Sequence, residues 1–191
     1  MTDIFESQPL QLEELEEHDR EDLIKLPYRV GMYISQSDIS GGDVSDEKEL
    51  NALEIIITTY AQDYCKSEFV QQVMNETVSR KDDWPGWSVQ IENAPQECGQ
   101  MLRLLDSKLI LKDMEAFKTN LYEIGLAVAL AYRETNRDMN ILQVFLKKTE
   151  HYCHYKNFRK IGQDPLQWEE FLNISRDENK ALKNLANALE L

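Results

Sequence analysis

The segment LYEIGLAVALAY, residues 121–132, constrains the fold most strongly. It is apolar on nearly every side of a helical projection, so it predicts a buried central helix rather than a surface helix. The rest of the chain shows helical spacing of apolar residues and no convincing alternation with a period of two. Glycine and proline are scarce, at 7 and 5 of 191 residues, which disfavours a turn-rich β-protein. We therefore predict an all-α, single-domain bundle of about seven helices.

The positions of the other helices follow from apolar spacing and from start signals. Helices are predicted at 46–64, 69–77, 96–110, 113–133 and 138–156, with two more beginning after Asp164-Pro165 and at Asp177. Residues 12–26 are compatible with a helix or a helix-like arm, and Pro27 suits the first turn of a separate helix that ends near Ser35. The predicted core residues are Leu50, Leu53, Ile57, Leu105, Ile124, Val128, Phe145 and Leu146, with residues 122–132 buried throughout.

Residues 80–95 show no helical period and contain Pro-Gly between Trp84 and Trp87. This segment predicts the longest irregular connection of the chain. Tryptophans in such a loop more often anchor it to the core than bind a ligand, and we interpret both in that way.

The net charge of −14 is concentrated in the N-terminal third of the chain. Residues 1–64 hold 16 acidic residues against 4 Lys and Arg, whereas residues 65–191 hold 19 against 17. Such a chain should repel nucleic acid and anionic membranes. Its longest apolar run, residues 124–132, is too short to cross a bilayer. The acidic N-terminus does not resemble a signal peptide, and three widely spaced cysteines indicate reduced thiols, so we expect a cytoplasmic protein.

An acidic loop, residues 35–50, is the main candidate for a metal site. Asp38, Asp43 and Asp46 could supply oxygen ligands, with Glu49 closing the site, and oxygen ligands favour Ca²⁺ or Mg²⁺. The loop does not fit the calcium-loop template of an EF-hand, because the required glycine at its sixth position is Asp43. The same residues are also explained by a polar turn whose Ser45 or Asp46 caps the next helix, and we favour that interpretation over a specific metal site.

Few residues indicate catalysis. The sequence contains no phosphate-binding glycine loop, no nucleophile elbow and no zinc-protease motif. His151 and His154 lie in the one basic stretch, residues 147–160, but two histidines do not make a structural zinc site. We interpret that stretch as a helix end that pairs with the acidic half, not as a nucleic-acid patch. We expect no catalytic residue and no firmly bound cofactor, although paired carboxylates of the acidic half could still serve a hydrolase.

The segments YRVGMYIS (28–35) and YEIGLAVA (122–129) align with identical tyrosines and glycines, which predicts a two-fold internal repeat. Glycine inside a helix is unfavourable, so Gly31 and Gly125 at matched places predict close helix crossings. The stretches 30–57 and 121–150 also resemble the TerB-like tellurite-resistance family, in which a turn followed by an acid-started helix occurs twice in an all-α fold. Asp38 matches the turn acid of that family, and Glu47 or Glu49 matches the acid that starts the following helix.

The resemblance implies a domain organisation and a function. Residues 1–25 would form an acidic N-terminal arm or helix, 26–160 a TerB-like helical core, and 161–191 a C-terminal helical extension packed on the core. The family is associated with resistance to tellurite and other stresses through metal sensing or membrane-associated complexes, and no defined catalysis. We therefore expect a non-enzymatic, cytoplasmic stress-response or interaction protein with protein partners, with a homo-oligomer possible and a carboxylate-using hydrolase as the alternative.

Overall fold

The computed structural model describes residues 10–37, 46–131 and 176–191. Across these ranges the regular structure is helical, and no strand occurs in them. The α-helices are α1 (Glu17–Ser35), α2 (Asp46–Asp63), α3 (Glu68–Ser79), α4 (Trp84–Trp87), α5 (Ala94–Leu105), α6 (Leu111–Ala131) and α7 (Arg176–Ala188). Three 3₁₀ turns accompany them, at Leu12–Glu14, Lys81–Asp83 and Ile91–Asn93. The prediction of an all-α bundle is confirmed.

Helix α1 lies at the centre of the bundle and contacts each of the other six α-helices. Its residues from Leu26 to Met32 are all buried, because neighbours cover every side of this part of the helix. Helix α6 packs mainly on α1 and also contacts α2, α3 and α7. Residues 123–130 of α6 are buried, as the apolar segment predicts, while Tyr122 is only partly buried. The domain therefore has two largely buried helices that pack on each other.

Gly31 and Gly125 both lie at close helix crossings, which confirms the prediction made for these two residues. A Cβ atom added to Gly31 would lie 2.2 Å from a methyl carbon of Leu53 in α2. A Cβ atom added to Gly125 would lie 3.0 Å from Leu185 of α7 and 3.2 Å from Ile34 of α1. The absence of a side chain at these two places allows the helices to approach each other.

Five predicted core residues are fully buried: Leu53, Ile57, Leu105, Ile124 and Val128. The prediction for Leu50 is wrong, because 46% of its surface is exposed. Leu50 lies in the first turns of α2 and shares the helical spacing of Leu53 and Ile57, so spacing alone does not determine which of these residues is buried. Phe145 and Leu146 lie outside the described residues, as do the helices predicted at 138–156 and after Pro165.

Two predicted boundaries are also wrong. Pro27 lies inside the continuous helix α1 and does not begin a new one. Proline removes one helical hydrogen bond and crowds the preceding turn, but residues 26–30 are buried and the packing around them holds the helix together. Residues 80–95 are not an irregular connection, since two 3₁₀ turns and the short helix α4 occupy most of them. These turns are too short to produce a helical period in the sequence.

The predicted domain boundary at residues 25 and 26 falls within α1, whose Leu23 and Ile24 belong to the same buried core as Leu26. The two-fold internal repeat stays a prediction. Its first copy lies in α1 and its second in α6, but the segment that follows the second copy, residues 132–175, lies outside the described residues. Within the described ranges, no helix combines the length and the apolar character needed to cross a membrane.

Candidate functional site

A cavity of about 490 Å³ opens between α1, α4 and α5. Its volume falls within the range of about 300–1,000 Å³ that is usual for ligand sites. The buried part of its lining comes from the apolar side chains of Leu26, Trp87 and Met101 and from the charged Arg29. Its more exposed lining is mainly polar or charged, from His18, Asp19, Asp22, Lys25, Glu97 and Gln100, together with Gly86, Val89 and Leu104. We call this cavity the α1–α5 cleft.

The guanidinium group of Arg29 holds the inner end of the cleft together. Arg29 is 7% exposed, and its Nε and Nη2 donate to the two carboxylate oxygens of Glu97 at 2.6 and 2.8 Å. Its Nη1 donates to the carbonyl oxygens of Trp87 and Val89, the latter at 2.9 Å, and Nη2 donates to that of Gln90 at 3.0 Å. Arginine has five N–H groups, and here all five are used. Arg29 is therefore a structural clamp with no donor left for an anionic ligand.

The clamp attaches the segment after α4 to α1, and aromatic contacts support it. The Tyr28 ring lies 4.9 Å from that of Trp84 and 6.2 Å from that of Trp87, between ring centroids. The Trp84 indole nitrogen donates to the carbonyl of Thr77 at 3.0 Å. The backbone of Gln90 has a φ of 52°, a left-handed conformation that lets the chain turn back towards α5. The prediction that both tryptophans anchor this segment to the core is confirmed.

The outer end of the cleft is lined by one face of α1. His18, Asp22, Lys25 and Arg29 follow each other at spacings of four, three and four residues, which places them on one side of the helix. Asp22 accepts from Lys25 at 3.3 Å and lies 3.3 Å from the Nε2 of His18. Asp19, also on the lining, has no ion-pair partner in the described part of the chain. The cleft therefore presents carboxylate oxygens to a ligand, while its two cations are already engaged.

A second group of buried polar residues lies on α6, away from the cleft. Glu123 is 8% exposed and accepts from the Lys66 ammonium at 2.8 Å. Asn120, one turn earlier, is 4% exposed, and neither polar atom of its amide has a hydrogen-bond partner among the described residues. Burial, together with the charge of Glu123 and the electrostatic effect of Tyr64, strongly raises the pKa of Tyr60. None of these groups is part of the cleft lining.

The two described cysteines are free thiols. Burial raises the pKa of the Cys65 thiol to about 11. Burial, and then the charge of Glu97, raise the pKa of the fully buried Cys98 thiol further, although Arg29 opposes this shift. A thiol needs to be deprotonated to act as a nucleophile, so both are poorly suited to covalent catalysis near neutral pH.

The metal site predicted from Asp38, Asp43, Asp46 and Glu49 stays a prediction. Asp38 and Asp43 lie outside the described residues, and Asp46 and Glu49 are described only as backbone of the first turn of α2. The start of α2 at Asp46 agrees with the predicted helix start. Among the residues whose side chains are described, no group of three or more His, Cys, Asp or Glu is placed to hold a metal ion. His151 and His154 also lie outside these ranges.

Sequence reasoning did not find the clamp. The available signal was Arg29 itself, a single charged residue within the apolar run from Leu26 to Ile34. A lone arginine in such a run predicts a buried ion pair, because an unpaired buried charge is very unfavourable. The partner, Glu97, is 68 residues away, and nothing in the sequence near Arg29 identifies it.

No protein-family model, curated protein or solved structure matches the chain.

Proposed function

We propose that the protein is a non-enzymatic, cytoplasmic interaction protein of the stress-response type, similar to TerB-like proteins, and that its α1–α5 cleft binds a protein partner. The observation that carries the proposal is the composition of the cleft: a buried apolar lining from Leu26, Trp87 and Met101 beside exposed charged groups. Protein-recognition sites commonly have this arrangement, with an apolar centre and a polar rim.

The state of the charged groups favours binding over catalysis. Glu97 accepts two hydrogen bonds from Arg29, and Asp22 is engaged with Lys25 and His18. A general acid or base needs an oxygen that is free to reach the substrate, and both carboxylate oxygens of Glu97 already accept hydrogen bonds from Arg29. Rigid charged groups around an apolar centre instead provide specificity for a partner.

The experiment is a crosslinking capture from the native cell with a variant that fills the cleft. Gln100 is an exposed cleft residue, so Gln100→Trp should block the cavity without disturbing the core. Gln62→Trp, at an exposed position of α2 outside the cleft, is the matched control. We expect wild type and Gln62→Trp to capture the same partner and Gln100→Trp to lose it, with circular dichroism unchanged in all three. Equal capture by the two variants would contradict the role of the cleft.

The hydrolase alternative is separated by substrate screening. A hydrolase that used the cleft carboxylates would lose turnover in Asp22→Asn and keep it in Asp82→Asn, an exposed aspartate outside the cleft. We expect no turnover in the wild-type protein with broad ester, phosphoester and glycoside panels.

The acidic loop is proposed to bind divalent cations weakly, through Asp38, Asp43, Asp46 and Glu49. Clustered carboxylates attract Ca²⁺ or Mg²⁺ with affinities that reach only the millimolar range in weak sites. A saturable calorimetric heat that is abolished in the double variant Asp38→Asn/Asp43→Asn would support binding. No saturable heat in the wild type would leave the turn-and-cap interpretation of this loop.

A further inference from the structure

We infer that the partner segment that occupies the α1–α5 cleft is basic and amphipathic, with lysine or arginine side chains next to large apolar ones. This inference rests on the proposed function of the cleft and adds the chemistry of the partner. It follows from which hydrogen-bonding groups of the cleft are already used, and from the charge of the chain beside it.

Carboxylates outnumber free cations in the lining of the cleft. All five N–H groups of Arg29 bind Glu97 and three backbone carbonyls, so this cation cannot receive an anionic ligand. Lys25 donates one of its three N–H groups to Asp22. Asp19 has no ion-pair partner in the described part of the chain, and Asp22 and the partly exposed Glu97 keep lone pairs that these contacts do not use. A ligand that supplies N–H donors therefore fits the cleft better than one that supplies carboxylates or phosphates.

The segment of the chain beside the cleft is also negatively charged. Residues 13–22 hold seven acidic residues and one arginine, and they run from the 3₁₀ turn Leu12–Glu14 into the first turns of α1. Within this segment Glu21 is paired with Arg80, whereas Glu13, Glu14, Glu16 and Glu17 are exposed. Clustered charges of one sign at the mouth of a cleft steer partners of the opposite sign and reject others. The partner is therefore expected to be positively charged.

The apolar lining requires more than charge. Leu26, Trp87 and Met101 are buried at the base of the cleft, and the apolar surface left for a ligand comes from Val89, which is 67% exposed, and from the partly buried Leu104. A simple polycation would leave these two side chains in contact with water. A segment with apolar residues on one side, such as an amphipathic helix laid in the groove, would cover them and place its basic residues against the acidic rim.

The test uses three peptides and the full-length protein. The first is two repeats of Lys-Leu-Leu-Lys-Lys-Leu-Leu, the second has glutamate in place of each lysine, and the third has glycine in place of each leucine. Each carries a fluorescent label, and fluorescence anisotropy measures binding at low and physiological salt. We expect saturable binding of the first peptide, at least about tenfold weaker binding of the third and none of the second.

Two variants locate the binding. Gln100→Arg places a cation in the cleft and should weaken the binding of the first peptide by about tenfold. Gln62→Arg makes the same charge change outside the cleft and should change the affinity for this peptide by less than about twofold. Asp19→Asn/Asp22→Asn should weaken binding by roughly three- to fivefold, as expected for two partly exposed charges. Equal losses in Gln100→Arg and Gln62→Arg would mean that only the overall charge attracts the peptide, and would overturn the inference.

The result also separates this inference from the proposed function. If the acidic peptide or the glycine peptide binds the cleft as well as the first peptide, the assigned partner chemistry is wrong while the cleft remains a binding site. If the capture experiment shows a partner lost in Gln100→Trp but the basic peptide does not bind, the partner chemistry again fails and the function stands. If neither experiment depends on Gln100, both proposals fail.

Discussion

Two buried polar side chains, Arg29 in α1 and Asn120 in α6, have opposite surroundings. Arg29 is 7% exposed and uses every N–H group, whereas Asn120 is 4% exposed and its amide has no hydrogen-bond partner in the described part of the chain. The difference follows from what each side chain can reach. Arg29 faces the segment after α4, where a helix end leaves carbonyl oxygens without partners. Asn120 lies in the middle of the long helix α6, where helical bonds have already used the nearby carbonyls.

The comparison teaches that burial alone does not decide whether a polar residue stabilises this fold. The Arg29 clamp joins α1, α4 and α5 at one point and supplies a partner for three backbone carbonyls, of which that of Trp87 lies in a buried contact. The Asn120 amide instead loses its hydration without compensation, which costs about 1–3 kcal/mol. We therefore expect substitutions at the two positions to change stability in opposite directions.

The largest effect is expected for Arg29→Met. This substitution removes five hydrogen bonds and leaves Glu97 without its cation. Breaking a buried ion pair from one side costs about 3–5 kcal/mol, and we expect the lower end because Glu97 is partly exposed and can be hydrated. Urea unfolding followed by circular dichroism measures the change. Arg29→Lys is the matched control: it keeps the positive charge but cannot make all five hydrogen bonds. Its loss in the free energy of unfolding should be about half that of Arg29→Met. A loss below about 1 kcal/mol in Arg29→Met would contradict the clamp.

A smaller loss is expected for Gly31→Ala, two residues further along the same helix. The added Cβ would lie 2.2 Å from a methyl carbon of the fully buried Leu53, so α1 or that side chain has to move. Overpacking costs about 1–3 kcal/mol, and the better helix propensity of alanine returns up to about 1 kcal/mol. We expect a net loss of about 1–2 kcal/mol.

Gly86→Ala is the control for this glycine, because no atom lies within 4 Å of its added Cβ. It should leave stability unchanged or raise it by up to about 1 kcal/mol. The double variant Gly31→Ala/Leu53→Ala should lose less than the sum of the two single variants, since truncating Leu53 makes room for the new methyl. Strictly additive losses would show that the crossing with α2 is not the cause.

Asn120→Leu should change stability in the opposite direction. Leucine has the same branched arrangement of four side-chain heavy atoms as asparagine, is bulkier, and carries no polar atom, so it removes the unsatisfied amide from the core. We expect the free energy of unfolding to rise by about 1–2 kcal/mol. Asn120→Asp, which adds a buried charge at the same place, should lower it and serves as the control. A loss of stability in Asn120→Leu would show that the amide has a partner in solution, and the contrast with Arg29 would then disappear.

The last comparison is chemical and concerns the labelling rates of the two described thiols, Cys65 and Cys98. Because the pKa of Cys65 is raised to about 11, its iodoacetamide labelling at pH 8 should be about a hundredfold slower than that of an ordinary cysteine of pKa 9.0. The rate should rise about tenfold for each pH unit until the pH reaches about 11, because the thiolate is the reactive form. Cys98 should label more slowly still.

A Cys153→Ser background keeps the third thiol out of this measurement, and mass spectrometry of the peptides distinguishes Cys65 from Cys98. Labelling of Cys65 that is already fast at pH 8 and hardly changes above it would indicate a thiol of ordinary or lowered pKa, contrary to its burial.

The periodic parts of the fold could be predicted from the sequence. The all-helical class, the buried helix α6 and the start of α2 at Asp46 follow from apolar spacing and from residue preferences at helix starts, which are local properties of the chain. The close crossings at Gly31 and Gly125 also follow, because an unfavourable residue inside a helix needs a packing reason. Leu50 shows the limit of this reasoning, since its spacing is that of Leu53 but 46% of its surface is exposed.

The tertiary structure alone decided the candidate site. Helix α1 continues through Pro27 because buried residues on both sides of the proline pack the helix against its neighbours. Rules that use only the adjacent residues of the sequence cannot predict this packing. The cleft exists because α1 and α5, separated by about sixty residues of chain, are joined where Arg29 meets Glu97 and three loop carbonyls. Local preferences act over a few residues and determine which segments are helices. The packing of the whole bundle determines which charged residues of those helices meet. No single segment of the sequence contains that information.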